Sequence, residues 1–177
     1  MKNKAGNLLS WVASSAVLIG IDQYTKALAV ARLKNQQPFV ILDGVFEFLY
    51  SENRGAAFGL MQGRQDFFFL IGIVVLAVAG YAMLRMPGWQ EKRYHWLKLC
   101  VIMITAGAVG NMIDRVSQGY VVDFLYFKLI NFPIFNVADI YVTVTMILLL
   151  ILILFFYKEE DLDFLNRKGK HGRDNRN

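Results

Sequence analysis

The chain has one cysteine, three prolines and two histidines in 177 residues, and only 19% of it is charged. A single thiol, Cys100, excludes an intrachain disulfide, and with no ligand cluster around it gives no thiolate metal site; it reads as a small residue buried in a helix. His95 and His171 stand apart and no HExxH occurs, which removes the helical zinc-protease arrangement. The serines (Ser10, Ser14, Ser15, Ser51 and Ser117) lie in no GxSxG and have no histidine placed to activate them. Neither a metal nor a cofactor is expected. Polar surface is scarce too: 56% of residues are hydrophobic, 14 of them phenylalanine, which is too apolar for an ordinary soluble domain.

Long apolar runs are what the chain does have. A spanning helix needs about 20 mostly apolar residues, and residues 8–31, 67–84, 96–113 and 140–157 qualify. The fold class expected is a mainly α membrane protein, a four-helix bundle with a small sheet or hairpin on its extracytoplasmic face. The first run is too long for a cleaved signal peptide and is read as a retained anchor. Lysine and arginine favour cytoplasmic flanks. They are more numerous on the side holding Lys2, Lys4, Arg85, Lys92, Arg93 and the tail, so both termini are placed in the cytoplasm.

These limits divide the chain into a membrane domain, 1–157, and a cytoplasmic tail, 158–177. The domain contains two extracytoplasmic segments, 33–66 and 114–139. The tail's "RKGKHGRDNRN" reads as disordered and attracted to anionic phospholipid head groups. It has no aromatic residues to stack bases, so no nucleic-acid partner is expected. In "PFVILDGVFEFLYSENRG", two β-branched and aromatic runs flank Asp43-Gly44, a dipeptide suited to a two-residue hairpin turn. A sheet there would either hold an extended peptide or lipid at the interface or simply cap the helix ends.

Ionisable groups at membrane depth are costly and face a partner or a cavity. Asp22 and Lys26, in "IDQYTK", are four apart on one helical face and are expected to pair, either to tether the first helix or to orient a reacting group. "GNMIDRVSQGYVVDF" places Asn111 and Arg115 on one face of the third helix, with Asp114 beside them and Asp123 eight residues after Arg115. Asp139, in "FNVADIYV", opens the fourth span at the same end, with Asn136 one turn behind it. Two carboxylates close enough to repel share one proton, and one then acts as base while the other acts as acid. Spacing alone leaves alternatives open: Asp139 could N-cap the last helix, and a small transporter, channel or lipid-binding scaffold fits the same spans. A transporter, however, needs a polar path to both faces, and the polar residues read almost entirely into the outer half.

"IDQYTK", "ENRGAAFG", "GNMIDR", "VVDF" and "FNVAD", in this order, resemble the motifs of the bacterial lipoprotein signal peptidases, also called signal peptidase II, over nearly the whole length to Tyr157. The resemblance implies an aspartic endopeptidase of the inner membrane that acts on lipid-modified prolipoproteins, cuts just before the diacylglyceryl-bearing cysteine, and is the target of globomycin. It implies Asp123 and Asp139 as the catalytic pair. Asn53, Asn111, Arg115 and Asn136 match residues that support the site or position substrate; Asp22, Lys26 and Asp114 fall in the supporting set. Ile140 and Tyr141 are bulkier than the small polar residues many members carry after this motif. The chain is expected to act as a monomer.

Overall fold

The computed structural model describes residues 2–55 and 64–165. Four helices run through it: α1 (Lys2–Leu33), α2 (Gln65–Arg85), α3 (His95–Gln118) and α4 (Val137–Ile151), the last continued by a wider π turn over Leu152–Phe156. All four, as Lys4–Leu33, Gln65–Arg85, Lys92–Gln118 and Val137–Phe156, are long and apolar enough to cross a bilayer. Half of the α3 window is buried, against 17% in each of the others, so α3 is the central post against which the other three pack. The others keep one face outward, where Val12, Val17, Ile73, Val78, Met146 and Ile147 are exposed. That is the pattern of helices solvated by lipid.

Close approach of α4 to α3 depends on glycine. A Cβ on Gly107 would lie 2.6 Å from Val142 Cγ2 and 2.7 Å from the Ala138 carbonyl oxygen, and one on Gly110 would lie 2.5 Å from Asp22 Oδ2. Small residues are the usual means of bringing backbones together in lipid. α3 ends at Gly119, whose φ of +77° lets its N–H reach back to the Arg115 carbonyl at 3.1 Å.

Three antiparallel strands, β1 (Phe39–Leu42), β2 (Phe46–Asn53) and β3 (Val121–Phe127), form one sheet in that order. The first two are the hairpin expected from sequence, with one difference. The loop holds three residues, Asp43, Gly44 and Val45, with Gly44 at φ +69° and the Val45 N–H donating to the Leu42 carbonyl at 3.0 Å. The third strand is the "VVDFLYF" run, for which the sequence pattern predicts no secondary structure. It pairs Asp123 with Ser51 and Val121 with Asn53 across β2.

One further expectation changes, and the segment after Tyr157 is ordered at its start: a 3-10 helix over Glu159–Leu165 docks back on the bundle. Phe164 packs on the cluster around Ala79, Met83 and Ile102, and its carbonyl accepts from Arg85 Nε at 2.9 Å. The basic stretch 166–177 lies outside the described residues. Polar residues are also not confined to one end: Asn7 and Lys98 are completely buried where α1 and α3 begin, far along the bundle from Asp139. Their separation in sequence hid this grouping.

Gly107→Ala is expected to cost about 1–3 kcal/mol by wedging α4 from α3. Gly20→Ala, whose Cβ meets nothing within 4 Å, should be neutral or gain up to about 1 kcal/mol by helix propensity. Thermal unfolding of both variants in detergent checks the contrast.

Candidate active site

The segment between β3 and α4 turns through Asn131, at φ +48°, and comes back beside the strand it left. Phe135 exchanges backbone hydrogen bonds with Leu125 at 3.0 and 2.9 Å and also accepts from the Phe124 N–H. This clip fixes the next residue, Asn136, between the strand that carries Asp123 and the helix that carries Asp139. Asn136 has an extended backbone and is the N-cap of α4, so Asp139 occupies the third helical position rather than the cap considered from sequence. The two form a reciprocal capping box. Asn136 Oδ1 accepts from the Asp139 N–H at 3.0 Å, and Asp139 Oδ2 accepts from the Asn136 N–H at 3.1 Å.

The Asn136 amide then links both carboxylates. Its Nδ2 donates to Asp123 Oδ1 at 2.6 Å and to Asn111 Oδ1 at 3.2 Å. Asn111 Nδ2 in turn donates to Asp139 Oδ1 at 2.8 Å. Asn53, at the end of β2, gives Nδ2 to Asp123 Oδ2 at 2.9 Å while its own Oδ1 accepts from the Gly55 N–H. Every polar atom of the Asn111, Asn53 and Asn136 amides that touches the carboxylates therefore has its role set by a second partner. Burial, with the neighbouring Asp139 charge second, pushes the Asp123 carboxyl up from 3.8 to about 7 against the opposing pull of the two amide donors.

Beneath this layer lies an ionic one. Lys26, 3% exposed, sits 2.9 Å from Asp22 Oδ2 and 3.0 Å from Asp114 Oδ2, and donates to Asn111 Oδ1 at 2.9 Å. Asp22 Oδ1 accepts from the Ala138 N–H in the first turn of α4, and Asp114 Oδ2 accepts from the Val122 N–H beside Asp123. The i,i+4 pair expected from sequence is thus present as part of a larger network. Gln23, which no spacing singles out although it stands in "IDQYTK", completes it. Its Nε2 lies within hydrogen-bond distance of Asp22 Oδ2, Asp114 Oδ1 and the Gly110 carbonyl.

Arg115 Nη2 donates to the Gly55 carbonyl at 3.2 Å, and its guanidinium carbon stands 4.5 Å from the centre of the Phe68 ring. With Asn53, Asn111 and Asp139 it forms the polar end of an open groove of about 790 Å³ that runs between α2 and α4 over α3. Phe68, Ile71, Val75, Ile104, Val142 and Met146 are among its apolar lining. The nine residues singled out from sequence thus fall into one connected set at one end of the bundle. The arrangement presents one buried and one half-buried carboxyl group, both hydrogen-bonded, beside an apolar channel, which is suited to proton exchange with a substrate arriving from lipid. Among the described residues no group of three or more histidines, cysteines or carboxylates is placed to hold a metal ion.

Two measurements test this electrostatic picture. In the folded chain Asp123 holds its proton up to about 7, whereas the unfolded chain releases it near 3.8. Folding therefore binds an extra proton in that window; stability should fall as pH rises through it and level off above, and Asp123→Asn should remove that slope from the thermal unfolding profile. Lys26→Met leaves two buried carboxylates without their cation and should cost roughly 3–5 kcal/mol, read from the shift in unfolding temperature.

The chain matches the family described as signal peptidase (SPase) II over residues 14–155. It is 43% identical over 130 residues to the lipoprotein signal peptidase of Streptococcus thermophilus strain CNRZ 1066, covering 73% of this chain and 82% of that one. It is 42% identical over 133 residues to that of Caldanaerobacter subterraneus subsp. tengcongensis, covering 75% and 87%. A solved bacterial membrane enzyme structure superposes with a TM-score of 0.70 at 29% identity, covering 93% of this chain and 94% of the other. A second such structure gives 0.70 at 30%, covering 84% and 94%. This chain belongs to the signal peptidase II family.

Proposed function

We propose that the protein is an aspartic endopeptidase that removes the signal peptide from diacylglyceryl-modified prolipoproteins, cutting just before the lipid-bearing cysteine. One observation carries the mechanism: Asp123 is buried, Asp139 is half-buried at the groove, and both are held by Asn136, close enough for the Asp139 charge to oppose ionisation of Asp123. Near neutral pH such a pair retains one proton. The ionised carboxylate takes a proton from a water bound between the two, and the resulting hydroxide attacks the scissile carbonyl. The protonated partner donates to the carbonyl oxygen, and collapse of the tetrahedral intermediate passes a proton to the leaving nitrogen. No covalent acyl-enzyme forms.

The remaining groups position rather than react. Asn53, Asn111 and Asn136 are neutral donors, so they hold the carboxylates without removing the charge that makes them share a proton. Arg115, at the mouth of the groove, is placed to hold substrate backbone, and Asp22, Lys26 and Asp114 fix the elements that carry the pair. Acyl chains and the apolar end of the signal peptide arrive through the groove, whose lipid-side opening spares them transfer into water. In this reading the protein is a multi-pass inner-membrane protein with both termini cytoplasmic, the carboxylate end faces the extracytoplasmic interface, and the chain works as a monomer among membrane phospholipids.

Cleavage of a diacylglyceryl-modified prolipoprotein by the purified chain tests the assignment. Asp123→Asn and Asp139→Asn should each stay folded and lose at least roughly 10²-fold in rate, while Asp114→Asn should lose stability first and keep measurable turnover. A folded, inactive Asp114→Asn beside an active Asp123→Asn would mean that the wrong carboxylate has been paired with Asp139.

A further inference from the structure

At the end of the bundle away from the carboxylates, Lys98 is completely buried in the first turns of α3. Its ammonium lies 4.5 Å from the centre of the Trp89 indole and has no hydrogen-bond acceptor among the described residues. Glu91 is within electrostatic reach, but the two form no ion pair among the described residues. A cation–π contact is worth about 2 kcal/mol when desolvated, which is less than the several kcal/mol that burying an ammonium costs. The position compounds the cost, because the N-terminus of a helix repels a cation and attracts an anion.

A second orphan lies on α1. Asn7 is also completely buried, and its Nδ2 holds the end of α2 through the Met86 and Pro87 carbonyls at 3.0 and 3.1 Å. Its Oδ1 has no donor among the described residues. Trp89 covers this region while remaining 37% exposed itself. Its Nε1 donates to Ser10 Oγ at 2.7 Å, and its carbonyl is 2.7 Å from His95 Nε2. The hydroxyl of Ser10 in turn donates to the Asn7 carbonyl, so Trp89 is fastened to the same turn of α1 that carries the orphaned amide. The Trp89 indole thus stands against the unmatched cation and is tied, through Ser10, to the turn of α1 that carries the unmatched acceptor, which outlines a niche at its ring.

We propose that this niche binds a phospholipid head group, its phosphate meeting Lys98 and a terminal hydroxyl or ammonium donating to Asn7 Oδ1. Basic niches between spanning helices at the leaflet surface are established sites for such groups. Exposed Lys4 and Lys92 at the same end add long-range attraction for an anionic lipid. Phosphatidylglycerol, which supplies a phosphate and hydroxyl donors in one head group, matches both orphans; phosphatidylcholine supplies the phosphate without the donor. Trp89 must swing away for the head group to enter, which makes it the lid of the site.

The test is native mass spectrometry and thermal unfolding of the purified full chain in detergent with phosphatidylglycerol, phosphatidylcholine or inorganic phosphate added. The wild type should retain one phosphatidylglycerol and unfold at higher temperature with it, binding phosphatidylcholine more weakly. Lys98→Met should bind phosphatidylglycerol roughly tenfold or more weakly and lose the shift, yet be no less stable than wild type when lipid is absent. Lys98→Arg, which keeps the cation, should keep the shift, and Lys98→Gln replaces Lys98→Met should that variant not fold. Undiminished retention by the neutral variants overturns the proposal. Equal retention of phosphatidylcholine overturns the role of Asn7, and equal stabilisation by inorganic phosphate overturns the lipid as its source.

Discussion

The Lys26 ammonium, held between the buried carboxylates of Asp22 and Asp114, is the interaction on which the carboxylate end depends. Neither acid is simply a counter-ion. Asp22 caps a backbone N–H at the start of α4 and Asp114 caps one at the start of β3, the two elements that deliver Asp139 and Asp123. One cation thus ties three helices and a strand to a common point. Away from water, a tie of this kind is strong in one direction only: each member is costly to bury and becomes costlier still when its partner is removed. The geometry of the upper layer follows from the lower one, since Lys26 also fixes the orientation of the Asn111 amide.

Between the ionic layer and the groove the chemistry changes from charges to amides. Three asparagines reach Asp123 and Asp139, and none of them carries a charge. Had the contacts been made by lysine or arginine, both carboxylates would ionise easily and no proton would remain between them. Amides satisfy the oxygens while leaving burial and mutual repulsion to govern the Asp123 proton, which is why its carboxyl lies near 7 and not below 4. Arg115 is the nearby exception, and its Nη groups are committed to the Gly55 and Asn111 carbonyls.

Much of this was legible in the sequence. Apolar run lengths gave the four helices, and the cost of a charge at membrane depth drew attention to Asp22, Lys26 and Asp139 before any geometry was known. Other features were not, for identifiable reasons. β3 was hidden because "VVDFLYF" is buried on both faces over its first four residues and so lacks the alternation that marks a half-buried strand. Gln23 was hidden because a glutamine within a long helix has no distinctive spacing; only the approach of α3 across Gly110 adds the Gly110 and Asp114 acceptors to that of neighbouring Asp22. The docking of Glu159–Leu165 is not legible from composition, because four acids in seven residues look like solvated chain and only the packing of half-buried Phe164 against α2 ties them down.

The two ends of the bundle obey one rule and meet it differently. At the carboxylate end, Lys26 has three internal acceptors and the buried acids have donors from both side chains and backbone, so this layer is complete without a ligand. At the other end Lys98 is equally buried, yet among the described residues it is offered only an aromatic face. A chain that can surround one lysine with two aspartates and an asparagine is not prevented by its fold from doing so again, and a methionine would fill the position at Lys98 without the cost of a buried charge. The residue is therefore best understood by what it would meet when Trp89 moves aside. On that side of the bundle, the nearest abundant acceptors are the phosphates of the membrane itself.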